Sequence, residues 1–196
     1  MKDEKWIKDQ LLDKFLRYVK IDTKSDPHKT NVIPSTEGQW DLLHMLKGEL
    51  EELGVSKITL NEHGYLIAVV EANLPSGETA PVIGLMAHVD TSEDMEGKDV
   101  KPQLTRNYDL KDIPLGHGYV LSPGEYPDLL KHKGDTIITS DGSTLLGADD
   151  KAGIAEIMTA LSWFKANPDQ PHGEIEIIFT PDEETGKGLD FFNKDW

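Results

Sequence analysis

The sequence predicts an α/β fold in which a mainly parallel, mixed sheet is flanked by helices. Short apolar runs that are typical of strands alternate along the chain with amphipathic segments of helical period. The chain has 196 residues, which is enough for one domain with a sizeable core. It contains no cysteine, so its fold depends on packing and hydrogen bonding without disulfides.

Three segments carry the apolar period of a helix that packs on a core. Residues 6–19 predict the first helix. Before the second helix, Thr36 and Gln39 have the spacing of a capping box, and an apolar stripe over 40–53 stops at a glycine. Residues 151–164 predict the third helix.

Five other stretches are read as strands, hairpins or loop. Residues 58–71 predict a hairpin, and 81–88 form a near-continuous apolar run that predicts a buried parallel strand. Residues 136–146 predict a second hairpin that turns at an Asp-Gly pair, and 174–179 predict a further strand. Residues 91–134 have little periodicity, and the sequence leaves their structure open.

Composition excludes several classes of function. A formal charge of -16 disfavours a nucleic-acid partner, because proteins that bind nucleic acids contact the phosphates through lysine and arginine side chains. No apolar run approaches the roughly 20 residues of a membrane span, and no secretory signal follows the charged start. We therefore expect a cytoplasmic protein with no membrane partner, in which any metal is held by histidine and carboxylates.

Three polar clusters lie where predicted elements begin or end, and ligands bind at the carboxyl ends of strands in open α/β sheets. Metal-ligating histidines commonly have a carboxylate behind them, and a glutamate beside a Lewis acid can serve as a general base. Together the clusters suit a two-metal site that takes zinc, manganese or cobalt. The clusters are His88-Val89-Asp90, Asp149-Asp150-Lys151 and Asp182-Glu183-Glu184.

Each cluster also has a purely structural interpretation. His88 and Asp90 could be a structural pair at a strand end. The two acids at 149–150 could cap a helix N-terminus, and the acids at 182–184 could form a solvated turn. The small residues Gly147 and Ala148 favour a site, because they leave space beside the first pair of acids.

These motifs resemble the co-catalytic zinc family of aminopeptidases, carboxypeptidases and aminoacylases. The resemblance implies that His88 binds one metal, Asp149 bridges two metals and Glu184 binds the second. It implies that Glu183 is the general base for a water held between the metals, and that Asp90 orients His88. Zn2+ is the implied cofactor, with Co2+ or Mn2+ as alternatives. The segments that carry the resemblance are 34–40, 87–92, 145–153 and 172–188.

Within that family, the wording of 34–40 and 145–153 is similar to the tripeptide aminopeptidases, so short peptides are the implied substrates. Family members are considerably longer, and their two remaining ligands lie downstream. We therefore expect residues 1–196 to be the N-terminal portion of a catalytic domain, without the lid or dimerisation domain and the C-terminal part. Such a chain should have little activity alone and could associate as a homodimer or through an exposed sheet edge. The alternative is a noncatalytic metal-binding or interaction domain derived from such a peptidase.

Overall fold

The computed structural model describes residues 3–193, which form three α-helices and eight short strands with two 3-10 turns. The helices are α1 (Glu4–Tyr18), α2 (Glu37–Leu53) and α3 (Ala148–Ala166). The strands are β1 (Lys57–Leu60), β2 (Leu66–Val70), β3 (Ile83–His88), β4 (Gln103–Thr105), β5 (Ile113–Pro114), β6 (Val120–Leu121), β7 (Ile137–Thr139) and β8 (Ile175–Thr180).

The main sheet has the strand order β1-β2-β8-β3. The β3 and β8 strands are parallel, whereas β1–β2 and β2–β8 are antiparallel. The predicted α/β fold with a mixed sheet flanked by helices is therefore confirmed, although its parallel share is smaller than expected. The parallel pair has one consequence for function, because both of its strands end at the same edge of the sheet.

One face of this sheet packs with all three helices into a single core. Alternate residues of a strand point to the same face, and the buried ones are in register across β2, β8 and β3. Each helix contributes apolar residues from within its predicted span. The core includes Phe15, Tyr18, Leu42, Leu43, Leu46, Leu50, Leu66, Ala68, Ala87, Ile154, Met158, Leu161, Ile177 and Phe179.

Two strand predictions need correction. The first hairpin is confirmed, but the second is wrong, because β7 pairs with β4 and residues 143–146 are not a strand. There the Ser140 hydroxyl donates to the carbonyl of Thr144, which replaces ladder bonding with a local turn. The predicted buried strand β3 lies at the edge of the main sheet, and Ile83 and Met86 are each 54% exposed.

The second helix begins and ends where the sequence predicts, but its capping box is absent. Thr36 is the N-cap residue and makes no side-chain cap bond, and Gln39 Nε2 donates to Thr36 Oγ1 at 3.2 Å and to Asp182 Oδ1 at 2.8 Å. Gly54 ends the helix in the left-handed conformation at φ 85°, which glycine adopts without strain. Within residues 3–193, no helix combines the length and the apolar character that crossing a membrane requires.

Candidate metal and active site

The three polar clusters converge at the edge of the sheet where β3 and β8 end. His88 is the last residue of β3 and lies in register with Thr180, the last residue of β8. The chain leaves β8 into the acidic turn, which we define as residues 182–187. The start of α3 brings Asp149 to the same place, so residues about 60 and 90 positions apart become neighbours.

His88 is 9% exposed and has a carboxylate on each side of its ring. Its Nδ1 lies 3.2 Å from Asp90 Oδ1 and 3.1 Å from the Asp90 carbonyl oxygen. Its Nε2 lies 2.9 Å from Asp149 Oδ1. Nδ1 is therefore engaged from inside the protein, and Nε2 is directed toward an exposed carboxylate.

Asp90 is fully buried and connects two of the clusters. In addition to His88, its carboxylate accepts the backbone N–H of Glu183 at 3.0 Å and that of Glu184 at 3.1 Å. One side chain thus fixes the orientation of the imidazole and the position of the acidic turn beside it. Backbone N–H groups that donate to a carboxylate stabilise its charged form.

The two acids before α3 have different environments. The Asp150 carboxylate accepts the N–H of Gly153 at 3.2 Å, so this residue performs the capping role that the sequence offered for the pair. The side chain of Asp149 is 85% exposed and faces His88 instead. Gly147 precedes them at φ 73°, and a Cβ there would lie 3.2 Å from Thr91 Cγ2. Only glycine combines that backbone conformation with so close a neighbour.

Among the described residues, His88, Asp149 and Glu184 form a group whose ligand atoms lie within 4.8 Å of one another. These are the three residues that the sequence analysis assigned to metal binding. The Glu183 carboxylate lies 4.0 Å from His88 Nε2, and its side chain is 60% exposed. The other four candidate residues, Asp90, Asp149, Glu183 and Glu184, therefore all lie around the imidazole of His88.

Charge accumulates at this group. Burial lowers the pKa of His88, but Asp90 and then Asp149 outweigh burial and raise it to about 9. Burial raises the pKa of Glu184, which His88 partly offsets, and burial also raises the pKa of Asp150. A positive charge placed among these carboxylates is therefore strongly favoured.

The residues present fit a divalent metal. If Nδ1 of His88 carries its proton toward Asp90, Nε2 presents a lone pair to a carboxylate oxygen 2.9 Å away. Two acceptors at that distance repel each other unless a proton or a cation lies between them. One imidazole and two carboxylates, with a buried carboxylate behind the imidazole, form a donor set that zinc accepts.

Two residues at this site were missed as site residues by the sequence analysis. Ser35 and Gln39 both contact the carboxylate of Asp182, the first residue of the acidic turn. A sequence signal for these two residues was present, because both lie in 34–40, one of the segments that carry the family resemblance. The sequence analysis instead assigned Gln39 to a capping box. A polar residue on the buried side of an amphipathic helix marks a tertiary contact.

Comparison with known proteins finds similarity to peptidases. Residues 138–194 match the model for peptidase family M20/M25/M40. The chain is 52% identical over 181 residues to Peptidase T of Clostridium perfringens and 55% identical over 188 residues to Peptidase T of Salmonella paratyphi A. Similarity to peptidases is thus seen both in the family match over residues 138–194 and in the two Peptidase T alignments. Those alignments cover 92% and 94% of this chain.

The chain spans less than half the length of these curated relatives, 44% of each. Two solved structures have the same fold over 95% of this chain and 40% of their own length, each at 24% identity. They are a tripeptidase from Staphylococcus aureus with a TM-score of 0.65 and the aminopeptidase PepT from Bacillus cereus with a TM-score of 0.64.

Proposed function

We propose that this chain carries the metal-binding part of a zinc-dependent aminopeptidase that removes the N-terminal residue of tripeptides. The observation that carries the proposal is the convergence of His88, Asp149 and Glu184, with Glu183 beside them. The relatives are called Peptidase T, tripeptidase and aminopeptidase, and these names support peptides as the substrate class.

Each residue has a role that follows from its contacts. His88, Asp149 and Glu184 would hold the metal, and Asp90 holds the imidazole with Nε2 directed outward. A bound divalent metal supplies Lewis-acid polarisation of the peptide carbonyl and activation of water. The exposed carboxylate of Glu183 lies 4.0 Å from His88 Nε2. It accepts the proton of the attacking water and returns it to the leaving amine.

We further propose that residues 1–196 are the N-terminal portion of the catalytic domain of such a peptidase. The support is that this chain covers 44% of its Peptidase T relatives while matching them along nearly all of its own length. Catalytic zinc normally has three protein ligands, and the described residues offer three to be shared by two metals. We therefore expect the isolated chain to bind metal and to hydrolyse tripeptides slowly.

The test is calorimetric titration of the chain with Zn2+ in parallel with His88→Ala. Loss of a ligand should weaken binding by more than the roughly 10- to 100-fold that loss of an outer partner costs. His132→Ala is the matched control, because the His132 side chain is 51% exposed and its ring pairs with the exposed Asp135, which is not one of the candidate site residues. Equal zinc affinity in all three proteins would contradict the proposed site.

A second variant separates the peptidase from the alternative, a noncatalytic metal-binding domain. Glu183→Gln keeps the size of an exposed side chain and removes its ability to accept a proton. If the chain is part of a peptidase, Glu183→Gln should retain zinc binding and abolish tripeptide hydrolysis. Hydrolysis is measured as the rate at which new amino groups are released from the tripeptide. Hydrolysis that survives this change would show that Glu183 is not the base.

A further inference from the structure

Asp182, the first residue of the acidic turn, is held by α2 and not by any of the candidate ligands. Its Oδ2 accepts the backbone N–H of Ser35 at 2.7 Å, and its Oδ1 accepts the Ser35 hydroxyl. Gln39 Nε2 donates to Oδ1 at 2.8 Å, and Gln39 Oε1 accepts the backbone N–H of Asp182 at 3.1 Å. Gln39 and Asp182 are therefore joined in both directions.

These contacts are buried and involve neutral donors. Asp182 and Gln39 are 0% exposed and Ser35 is 2% exposed. Among residues 3–193, no lysine or arginine forms an ion pair with Asp182. A buried carboxylate without a cation depends on its hydrogen bonds, so removing one donor leaves charge uncompensated.

Asp182 also has an unusual backbone conformation, with φ at 52° in the left-handed region. Its carbonyl oxygen accepts the Thr185 hydroxyl at 3.0 Å and the N–H of Lys187 at 3.1 Å. Non-glycine residues occupy this region at a cost, which the surrounding contacts must offset. The direction in which the chain enters Glu183 and Glu184 is set at this residue.

The start of α2 is itself fixed in place. A Cβ at Gly38 would lie 1.7 Å from the carbonyl oxygen of Asp22, so the helix backbone packs directly on the segment after α1. Ser35 and Gln39 flank this contact and therefore present a rigid surface to Asp182. The acidic turn is thus held on two sides through buried carboxylates. On the His88 side, Asp90 accepts the N–H groups of Glu183 and Glu184, and on the α2 side the turn's own Asp182 is held by Gln39.

We propose that Ser35 and Gln39 are positioning residues for the metal site: through Asp182 they set the direction in which Glu184 and Glu183 project toward His88. This inference rests on the proposed function, because it assigns a purpose to the turn only if Glu184 binds metal. Loss of the Gln39–Asp182 pair should weaken metal binding about 10- to 100-fold, the range seen for partners behind a ligand.

The experiment is Zn2+ calorimetry on the whole chain with Gln39→Glu, Asp182→Asn and the double variant. Gln39→Glu places a carboxylate against the Asp182 carboxylate. Asp182→Asn removes the negative charge that accepts hydrogen bonds from Ser35 and Gln39. In the double variant, the amide introduced at position 182 can donate to the carboxylate introduced at position 39, so the pair is restored with its ends exchanged. Both single variants should bind zinc about 10- to 100-fold more weakly, and the double variant should recover most of the loss.

Leu46→Ala is the control for general destabilisation, because Leu46 is a buried core residue of α2 whose apolar side chain cannot hydrogen-bond to the turn. It should lower the thermal midpoint and leave zinc affinity unchanged. If Gln39→Glu fails to fold, Ser35→Ala removes only the hydroxyl donor and should weaken binding at the lower end of the same range. The Co2+ absorption spectrum provides a second readout, since altered coordination changes it in the single variants but not in Leu46→Ala.

The outcomes separate the two proposals. Zinc affinity in Gln39→Glu equal to that of the unaltered chain overturns the positioning role and leaves the proposed function standing. An equal loss in Leu46→Ala, or no recovery in the double variant, also overturns it. If the unaltered chain binds no zinc, the proposed function fails, and the positioning role fails with it.

Discussion

Asp90→Asn tests the physical basis of the candidate site most directly. The carboxylate of Asp90 receives three donors, from His88 Nδ1 and from the backbone N–H groups of Glu183 and Glu184. Asparagine keeps the size of the side chain but replaces one oxygen with an NH2 group. That group must face one of the three donors, so the variant loses a charge and gains a buried conflict between donors.

The expected magnitude follows from His88. Its pKa is about 9 against an ordinary 6.5, and the difference corresponds to roughly 3 kcal/mol in favour of the protonated folded state. Because the pKa is raised in the folded protein, this stabilisation is fully present below pH 6.5 and is lost as pH rises through 9. Asp90 contributes more of the increase than Asp149 does.

Two measurements on metal-free protein check this reasoning. NMR titration of His88 should show its pKa falling from about 9 toward 6.5 in Asp90→Asn. Urea unfolding should show that the free energy of unfolding falls between pH 6.5 and 9 in the unaltered chain, and much less in the variant. The donor conflict adds a pH-independent loss of about 1 to 3 kcal/mol. Asp94→Asn, at an exposed position four residues downstream, should change neither quantity.

A pKa for His88 that stays near 9 in Asp90→Asn would refute the argument. Asp149→Asn covers the case in which the buried change prevents folding, because the Asp149 side chain is 85% exposed. It should lower the pKa of His88 by less than Asp90→Asn does. The opposite ranking would show that the outer carboxylate, and not the buried one, controls the imidazole.

Three further perturbations test the fold around the site. Burial lowers the pKa of Lys151 to about 8. The unfolded chain therefore binds more protons than the folded chain between pH 8 and 10.5, so the contribution of Lys151 to the free energy of unfolding should rise by roughly 3 kcal/mol across that window. Lys151→Met should lack this rise in urea unfolding, and equal pH slopes would refute the assignment. Gly38→Ala should destabilise the protein by more than about 2 kcal/mol in thermal unfolding, because the added Cβ would meet the backbone of Asp22. Gly48 lies in the same helix with open space around it, so Gly48→Ala should stabilise the protein by about 0.5 to 1 kcal/mol. Met86 is exposed on the edge strand β3, so Met86→Lys should reduce any concentration-dependent self-association that light scattering detects. Unchanged association would exclude this edge as the contact between chains.

Periodicity predicted the elements whose buried face is local to one segment. The stripes of the three helices and the turn at Asn61 lie where the sequence places them, because each depends on spacing or on one turn residue. The hairpin expected at 136–146 failed for the opposite reason. Its first arm found a partner in β4, more than 30 residues earlier, and periodicity within one window cannot identify such a partner.

The candidate ligands were predictable because each lies near the start or end of an element, where polar residues beside an apolar run stand out. The strand β3 shows the limit of the same signal. Its apolar run is consistent with burial, yet the run ends at an edge with Met86 half exposed. Apolar composition identifies a strand without specifying which neighbours it has. The role of Gln39 was hidden in the same way, since a capping box and a contact with Asp182 use the same residue type.

The geometry of the acidic turn explains how three consecutive acids share one bend without prohibitive repulsion. Asp182 points into the protein and is held by Ser35 and Gln39, whereas Glu183 points outward into solvent. Glu184 is directed toward His88 and Asp149, where burial raises its pKa and His88 partly offsets the increase. Asp182 is thus compensated by hydrogen bonds and Glu183 by its exposure to solvent, while Glu184 lies beside the carboxylates of Asp149 and Asp90. Negative charge gathers where we propose that the cation binds, so folding of the turn and affinity for metal should change together.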